Sequence, residues 1–105
     1  MPDTMLAHNV YFTLADKSDA AQAKLIAACR KYLTDHPGTV FFACGPRARE
    51  LNRPVNDADF DVALHIVFKT TADQDAYQLA PRHDEFIAEC QANWAKVRVF
   101  DSLVG

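Results

Sequence analysis

The sequence has little of what marks several large classes of protein. It holds three glycines among 105 residues, and they are not grouped as a phosphate-binding glycine loop requires. No apolar run approaches the roughly 20 residues that a membrane-spanning helix needs. The first residues also lack the basic segment followed by an apolar segment that marks a secretory signal. These absences predict a cytoplasmic protein that does not bind a membrane.

A basic excess and clustered metal ligands are also missing. The formal net charge is -3, which argues against a nucleic-acid-binding protein because phosphate recognition usually requires a basic surface. Three cysteines, Cys29, Cys44 and Cys90, lie too far apart for a disulfide framework or a paired metal motif. We therefore expect reduced thiols packed in the core. The histidines show no local pairing of the kind that a zinc site needs, so no metal is expected.

What the sequence does contain predicts one folded domain. Hydrophobic residues make up 50% of the chain and charged residues 24%, so it can bury a core and stay in solution. We expect a single domain over residues 1–105, with its core at about 5–102. Alternating apolar and β-branched residues predict four strands, at residues 6–14, 39–45, 60–69 and 96–103.

Two helices are predicted between these strands. Apolar residues at helical spacing follow Asp19, which has capping-box spacing to Gln22, and Pro37 ends this first helix. The second helix begins at Thr70 or Thr71, breaks at Pro81, and continues to about Trp94. The order β-α-β-β-α-β is typical of a ferredoxin-like α+β sandwich, a four-stranded antiparallel sheet with its helices on one face.

The two faces of this sheet are predicted to differ. The helix-covered face of the first strand carries Leu6, His8, Val10, Phe12 and Leu14. The opposite face of the sheet carries Asn9, Tyr11, Phe41 or Phe42, Ala63, His65, Val67 and Phe100. This second set is too apolar to lie comfortably in water, so we expect an interface, most simply a symmetric homodimer. A solvated face with scattered aromatic residues is the alternative.

Four segments of the chain resemble a known family. They lie in the first strand, the third strand, the broken helix and the last strand, at residues 6–12, 60–68, 75–86 and 97–102. They are similar to the stress-responsive dimeric α/β-barrel (Dabb) domain, and the similarity runs from about Met5 to about Asp101. Its best markers are His8 in the first strand and the pattern Tyr-x(5)-His formed by Tyr77 and His83.

The resemblance implies a ferredoxin-like domain whose sheet pairs with that of a second copy across a two-fold axis. One branch of the family, the plant polyketide cyclases, closes a ring by an aldol reaction without metal or organic cofactor, using a tyrosine and a histidine as acid and base. By this resemblance Tyr77 and His83 are candidate catalytic residues, together with His8. A further histidine of those cyclases falls on about Val62 here, an apolar residue.

The chemistry of these side chains fits either a reactive site or a structural network. An imidazole can exchange a proton near neutral pH, and a tyrosine hydroxyl can stabilise a developing enolate. A buried His8 needs a hydrogen-bond partner in any case, and Tyr77 could serve as that partner. Other side chains expected around a ligand are Val10, Phe12, Val62, Phe86 and Arg53.

The remaining candidates have weaker signals. The long connection over residues 46–59 contains three arginines, which either clamp a carboxylate or phosphate or are simply solvated. His36 is expected at a helix C-terminus, where a cation is favoured, and His65 on the mixed sheet face.

Three functions remain open from the sequence. The first is a homodimer that binds a small, partly apolar molecule between helices and sheet. The second is a cofactor-independent cyclase, lyase or isomerase that acts on a carbonyl substrate. The third is a dimerisation module without a ligand.

Overall fold

The computed structural model describes residues 4–105 and shows a four-stranded antiparallel sheet with its helices on one face. The elements in chain order are β1 (Met5–Leu14), α1 (Asp19–Tyr32), β2 (Thr39–Pro46), β3 (Val62–Phe68), α2 (Thr71–Leu79), α3 (Pro81–Cys90), a 3-10 turn (Gln91–Asn93) and β4 (Trp94–Val104). The strand order across the sheet is β2-β3-β1-β4. The ferredoxin-like α+β fold predicted from the sequence is confirmed.

Strand β1 lies between β3 and β4 and carries the core. Its inner face alternates as predicted, with Leu6, His8, Val10, Phe12 and Leu14 all buried. The inner residues of β3 (Val62, Leu64, Ile66 and Phe68) pack beside them. Helix α1 covers this layer with Leu25, Ala28, Cys29 and Leu33. His8 is therefore the one histidine on the inner face of the two central strands.

The outer face of the sheet has no covering element among residues 4–105. Tyr11 is its centre, with ring centroids 5.0 Å from Phe60, 5.8 Å from Phe100 and 5.9 Å from His65. The register places Phe41 on this face and Phe42 on the inner face, because Phe42 lies opposite the buried Ile66. Phe41 and Phe100 are about half exposed.

Several element boundaries differ from the sequence prediction. The cap of α1 is Ser18, whose side chain accepts a hydrogen bond from the Ala21 amide, so the assignment of Asp19 was wrong. Strand β3 begins at Val62, and Phe60 consequently packs against the outer-face Tyr11 instead of joining the core. Trp94 begins β4 because α3 ends at Cys90 and a 3-10 turn intervenes.

The second helix breaks where the sequence predicted. Thr70 caps α2, and Pro81 occupies the first turn of α3, where its missing amide proton costs nothing. The turn before β2 packs closely against α2, and Gly38 adopts a positive φ of 84°. A Cβ at this glycine would lie 2.2 Å from the Asp73 side chain, so no larger residue fits without movement.

The 47–61 connection is anchored along β4 by ion pairs. Asp57 bonds to Arg98 at 2.6 Å, and Asp59 bonds to Lys96. Asp61 accepts hydrogen bonds from the Leu14 amide and from Lys17.

Among the described residues no helix is long and apolar enough to cross a membrane. Cys29, Cys44 and Cys90 are free thiols, of which Cys29 is buried and the other two are half-buried.

Candidate functional site

A cavity of about 160 Å³ lies between the inner sheet face and the helices α2 and α3. Its wall is mostly apolar, and its polar members are His8, Tyr77, Gln78, His83 and the indole of Trp94. The apolar members are Val10, Phe12, Leu64, Phe86, Ile87, Val97 and Val99. Among residues 4–105, no lysine, arginine, aspartate or glutamate lines this cavity. The wall therefore favours a ligand without a net charge.

His8 is held in place by a residue on the neighbouring strand. The register of β1 with β4 sets His8 opposite Asp101, and its Nδ1 lies 2.6 Å from the Asp101 Oδ1. Because a carboxylate only accepts hydrogen bonds, Nδ1 carries the proton and Nε2 is the acceptor nitrogen of the ring. Asp101 thus fixes the tautomer of His8 and compensates its burial.

Tyr77 occupies the centre of a group of aromatic rings. Its side chain is 2% exposed, and its ring centroid lies 4.9 Å from His83, 5.0 Å from His36, 5.1 Å from Phe68 and 5.8 Å from His8. Burial raises the pKa of the phenol, and the buried Cys29 thiol adds to this effect. The hydroxyl therefore stays protonated near neutral pH and acts as a hydrogen-bond donor.

His83 lies at the start of α3, directly against Tyr77. Burial lowers the pKa of its imidazole; the neighbouring Asp84 opposes the shift, while His8 and His36 lower the pKa further. Its Nδ1 is buried and has no hydrogen-bond partner among residues 4–105. A histidine whose pKa is below the ordinary value of about 6.5 is neutral at physiological pH and can accept a proton.

Together these groups form a candidate acid–base site. A neutral imidazole that can accept a proton lies beside a phenol that can donate one, at the wall of an apolar cavity. This combination suits removal of a proton next to a carbonyl group while the carbonyl oxygen receives a hydrogen bond. Wider grooves exist elsewhere, such as one of about 400 Å³ between α1 and Trp94, but Tyr77 and the four histidines do not line it.

The structure brings together six of the eight side chains that the sequence singled out. His8, Val10, Phe12, Tyr77, His83 and Phe86 all line the cavity. Val62 does not line it, because this residue is fully buried in the β3 core beside Phe12. Arg53 also lies outside: it is exposed in the 47–61 connection and bonds there to Asn56. Neither residue contributes to the cavity wall.

The sequence reasoning missed half of the cavity wall, namely Leu64, Gln78, Ile87, Trp94, Val97 and Val99, and it also missed the roles of Asp101 and His36 beside it. Asp101 could be found only from the register of β4 with β1. His36 was expected at a helix end, but its buried ring also packs against Tyr77. Trp94 was assigned to a helix and instead begins β4, where its ring lies 5.1 Å from Phe12.

Fold and site define the class of protein as a ferredoxin-like α+β domain with a small apolar cavity and acid–base groups on its wall. Residues 6–104 match the family described as the Stress Responsive A/B Barrel Domain (Dabb). The chain belongs to this family, as the resemblance of its segments indicated. None of the curated protein sequences matches it.

Solved structures with the same fold are similar over nearly the whole chain. A dimeric ferredoxin-like protein of unknown function from Thermobifida fusca has a TM-score of 0.80 at 18% identity, covering 96% of this chain and 92% of its own. A Dabb family protein from Mesorhizobium loti has a TM-score of 0.77 at 21% identity, covering 94% and 95%. The hydroxynitrile lyase from Passiflora edulis has a TM-score of 0.77 at 20% identity, covering 99% and 96%. At these identities the likeness establishes the fold.

Proposed function

We propose that this Dabb protein binds a small, uncharged, partly apolar molecule that carries a carbonyl group. The observation that carries this proposal is the contact between Tyr77 and His83 at the wall of an otherwise apolar cavity. The protonated phenol donates a hydrogen bond to the carbonyl oxygen of the ligand. The aliphatic and aromatic wall buries the remainder of the molecule.

The volume of the cavity limits the size of the ligand. A cavity of about 150 Å³ lined by apolar residues is known to hold one benzene molecule, and the cavity here measures about 160 Å³. We therefore infer a ligand with about one six-membered ring or a short branched chain. A fused multi-ring compound would extend out of the cavity beside the partly exposed Val97 and Val99, or would require the wall to move.

Calorimetric titration with three one-ring probes tests this proposal. We expect acetophenone to bind, toluene to bind more weakly because it lacks the carbonyl oxygen, and benzoate not to bind because no cation lines the wall. Tyr77→Phe removes only the hydroxyl and should weaken acetophenone binding by about two- to tenfold, the value of one hydrogen bond. Toluene binding should not change.

Tyr32→Phe is the matched control, since the Tyr32 hydroxyl bonds to Glu89 and does not line the cavity. This variant should bind all three probes as the wild type does. If the wild type binds none of them, ligand binding of this kind is refuted and the third function, a dimerisation module without a ligand, gains support.

A second candidate function is cofactor-independent lyase or isomerase chemistry on a carbonyl substrate. The neutral His83 beside the protonated Tyr77 favours it, and a hydroxynitrile lyase shares the fold. In such a step His83 removes the proton from the carbon next to the carbonyl, and Tyr77 donates a hydrogen bond to the oxygen that becomes negative.

Exchange of the acetophenone methyl protons in D2O, followed by NMR, measures this activity without knowledge of the natural substrate. We expect the wild type to accelerate the exchange, and His83→Gln to abolish the acceleration while retaining the fold. Exchange that is equally fast with His83→Gln would show that this imidazole is not the base.

We also propose that the protein is a homodimer through the outer sheet face. The aromatic cluster around Tyr11 borders a depression of about 420 Å³ lined by Asp57, Phe60, Arg98 and Phe100. The Thermobifida fusca protein with this fold is described as dimeric. A second copy would bury these rings and supply the cover that residues 4–105 do not provide.

Sedimentation measures the oligomeric state directly. Phe100→Asp places a charge within the proposed interface and should give a folded monomer. Leu79→Asp is the control, since Leu79 is 81% exposed on α2, away from this face, and should sediment as the wild type. A wild-type protein that is monomeric at micromolar concentration would contradict the proposal.

A further inference from the structure

The carboxyl end of α1 is held by side chains that belong to the surroundings of the candidate site. A helix leaves its last carbonyl groups without partners in the helix. Here the Arg82 guanidinium donates to one such group, the Lys31 carbonyl, at 2.7 Å, and to the Thr34 carbonyl just beyond the helix at 2.9 Å. His36 Nε2 donates to a second helix carbonyl, that of Tyr32, at 2.8 Å.

Each of these two donors is adjacent to a member of the acid–base pair. Arg82 immediately precedes His83 on α3, so fixing Arg82 against α1 also fixes the first turn of α3. The planar guanidinium binds two carbonyl groups at once and therefore sets an orientation as well as a distance. Arg82 is half-buried, so water competes with these hydrogen bonds less than it would at a fully exposed site.

The second donor, His36, packs against Tyr77 from outside the cavity. Its ring is buried and lies edge-to-face with the Tyr77 ring, with an interplanar angle of 83°. His36 does not line the cavity. Because the Tyr32 carbonyl only accepts a hydrogen bond, it fixes the proton of His36 on Nε2 and so fixes the plane of the imidazole.

We propose that Arg82 and His36 are positioning residues, which bind the free carbonyl groups at the end of α1 and thereby set the relative placement of His83 and Tyr77. This inference rests on the proposed function. It extends that function by naming two residues outside the cavity that determine the geometry of the Tyr77–His83 pair. Neither residue touches the ligand in this arrangement.

Arg82→Met tests the first half of the proposal, since methionine retains an apolar side chain and donates no hydrogen bond. We expect acetophenone affinity to fall by roughly three- to tenfold, because the phenol and the imidazole no longer converge on the carbonyl group. The NMR titration midpoint of His83 should rise toward the ordinary value of roughly 6.5 as the first turn of α3 loosens and water reaches the ring.

The groups that surround His83 bear on this titration. They are Tyr77 on α2, His8 on β1, His36 in the α1–β2 connection and Asp84 on its own helix. Arg82→Met leaves all four in place but removes a cation beside His83, whose loss would itself raise the midpoint. Arg82→Lys retains the charge and loses the planar guanidinium, so a midpoint that rises in both variants reports movement of His83. Arg49→Met is the matched control: the Arg49 guanidinium bonds to the exposed Asp19, far from His83, and its loss should change neither affinity nor midpoint.

Two variants of His36 test the second half. His36→Gln retains an amide N–H donor, whereas His36→Phe retains an aromatic ring and loses the donor. If the hydrogen bond to the Tyr32 carbonyl is what matters, His36→Gln should have an acetophenone affinity closer to that of the wild type than His36→Phe has. The reverse order would show that ring packing alone supports Tyr77 and would overturn the assignment of His36.

The outcomes separate this inference from the proposed function. If wild-type protein fails to bind acetophenone, the proposed function fails, while the His83 titration in Arg82→Met still reports on positioning. An Arg82→Met variant with wild-type affinity and an unchanged His83 midpoint, whatever its thermal stability, would refute the positioning role.

Discussion

Two neighbouring positions on β3 allow the cavity to be separated from the rest of the core. Leu64 and Ile66 both lie on the inner sheet face and are 2% and 0% exposed. Leu64 lines the cavity, whereas Ile66 does not. Replacing each by alanine removes three carbon atoms from a buried side chain, so that the two variants differ mainly in what surrounds the deletion.

The expected costs follow from the contacts that each side chain makes. Truncation of a buried leucine or isoleucine to alanine lowers the free energy of unfolding by about 2–5 kcal/mol. The side of Leu64 that faces the cavity has few partner atoms to lose. We therefore expect about 2–3 kcal/mol for Leu64→Ala and about 4–5 kcal/mol for Ile66→Ala, where the deletion leaves a new void in packed surroundings.

Urea denaturation followed through the single tryptophan, Trp94, measures both values. The chain concentration must be held constant, because dimerisation would make the midpoint depend on it. A total stability of about 5–15 kcal/mol is ordinary for a domain of this kind, so Ile66→Ala is expected to remain folded only at low denaturant and moderate temperature.

The same pair of variants should differ in ligand preference. Leu64→Ala enlarges the cavity and should shift the preferred probe from acetophenone to the two-ring acetonaphthone. Ile66→Ala should retain the wild-type order. The reasoning would be refuted if Leu64→Ala were the more costly substitution and Ile66→Ala were the one that admitted the larger probe.

Two further predictions concern the pH dependence of stability and the start of α1. The pKa of His83 is lower in the folded protein than in the unfolded chain. Its contribution to stability is therefore fully present above about pH 6.5 and is lost as the pH falls below that value. In thermal denaturation between pH 7.5 and 5, the Tm of His83→Gln should fall less than the Tm of the wild type. Ser18→Ala should cost about 1 kcal/mol in urea denaturation, whereas Asp19→Ala should cost only a few tenths; equal costs would contradict the assignment of Ser18 as the cap.

Most of the fold could be predicted because the spacing at which apolar residues recur along the chain shows which face of a strand or helix is buried. The alternation in β1 and the break at Pro81 are both local signals, and both were interpreted correctly. Phe60 and Trp94 were misplaced because an aromatic residue near the end of an element fits either neighbour. The 3-10 turn that follows Cys90 decides the position of Trp94, and a turn of this length has no hydrophobic period of its own.

The candidate site could be predicted only in part. His8, Tyr77 and His83 were found through the spacing that the family resemblance carries. Asp101 needed the pairing register, since a one-residue shift of β4 would place it on the outer face. His36 reaches the end of α1 through its place in the sequence, as expected, whereas only the packing of α3 on α1 brings Arg82 to the same helix end.

Unpaired buried polar atoms support the view that the cavity and the outer face both accommodate a partner. The buried His8 bonds to Asp101, His36 to the Tyr32 carbonyl, and Thr13 to the Asp59 carbonyl. Unpaired nitrogens among the described residues belong instead to His83 and Trp94, in the cavity wall, and to Arg98, in the outer depression. Each of the two atoms in the cavity wall costs about 1–3 kcal/mol while it lacks a partner. Thr39 Oγ1 is a fourth buried atom without a partner among the described residues, but the other three belong to residues that line the cavity or the outer depression. A ligand in the cavity and a second copy on the sheet would therefore supply partners where most of the unpaired atoms lie.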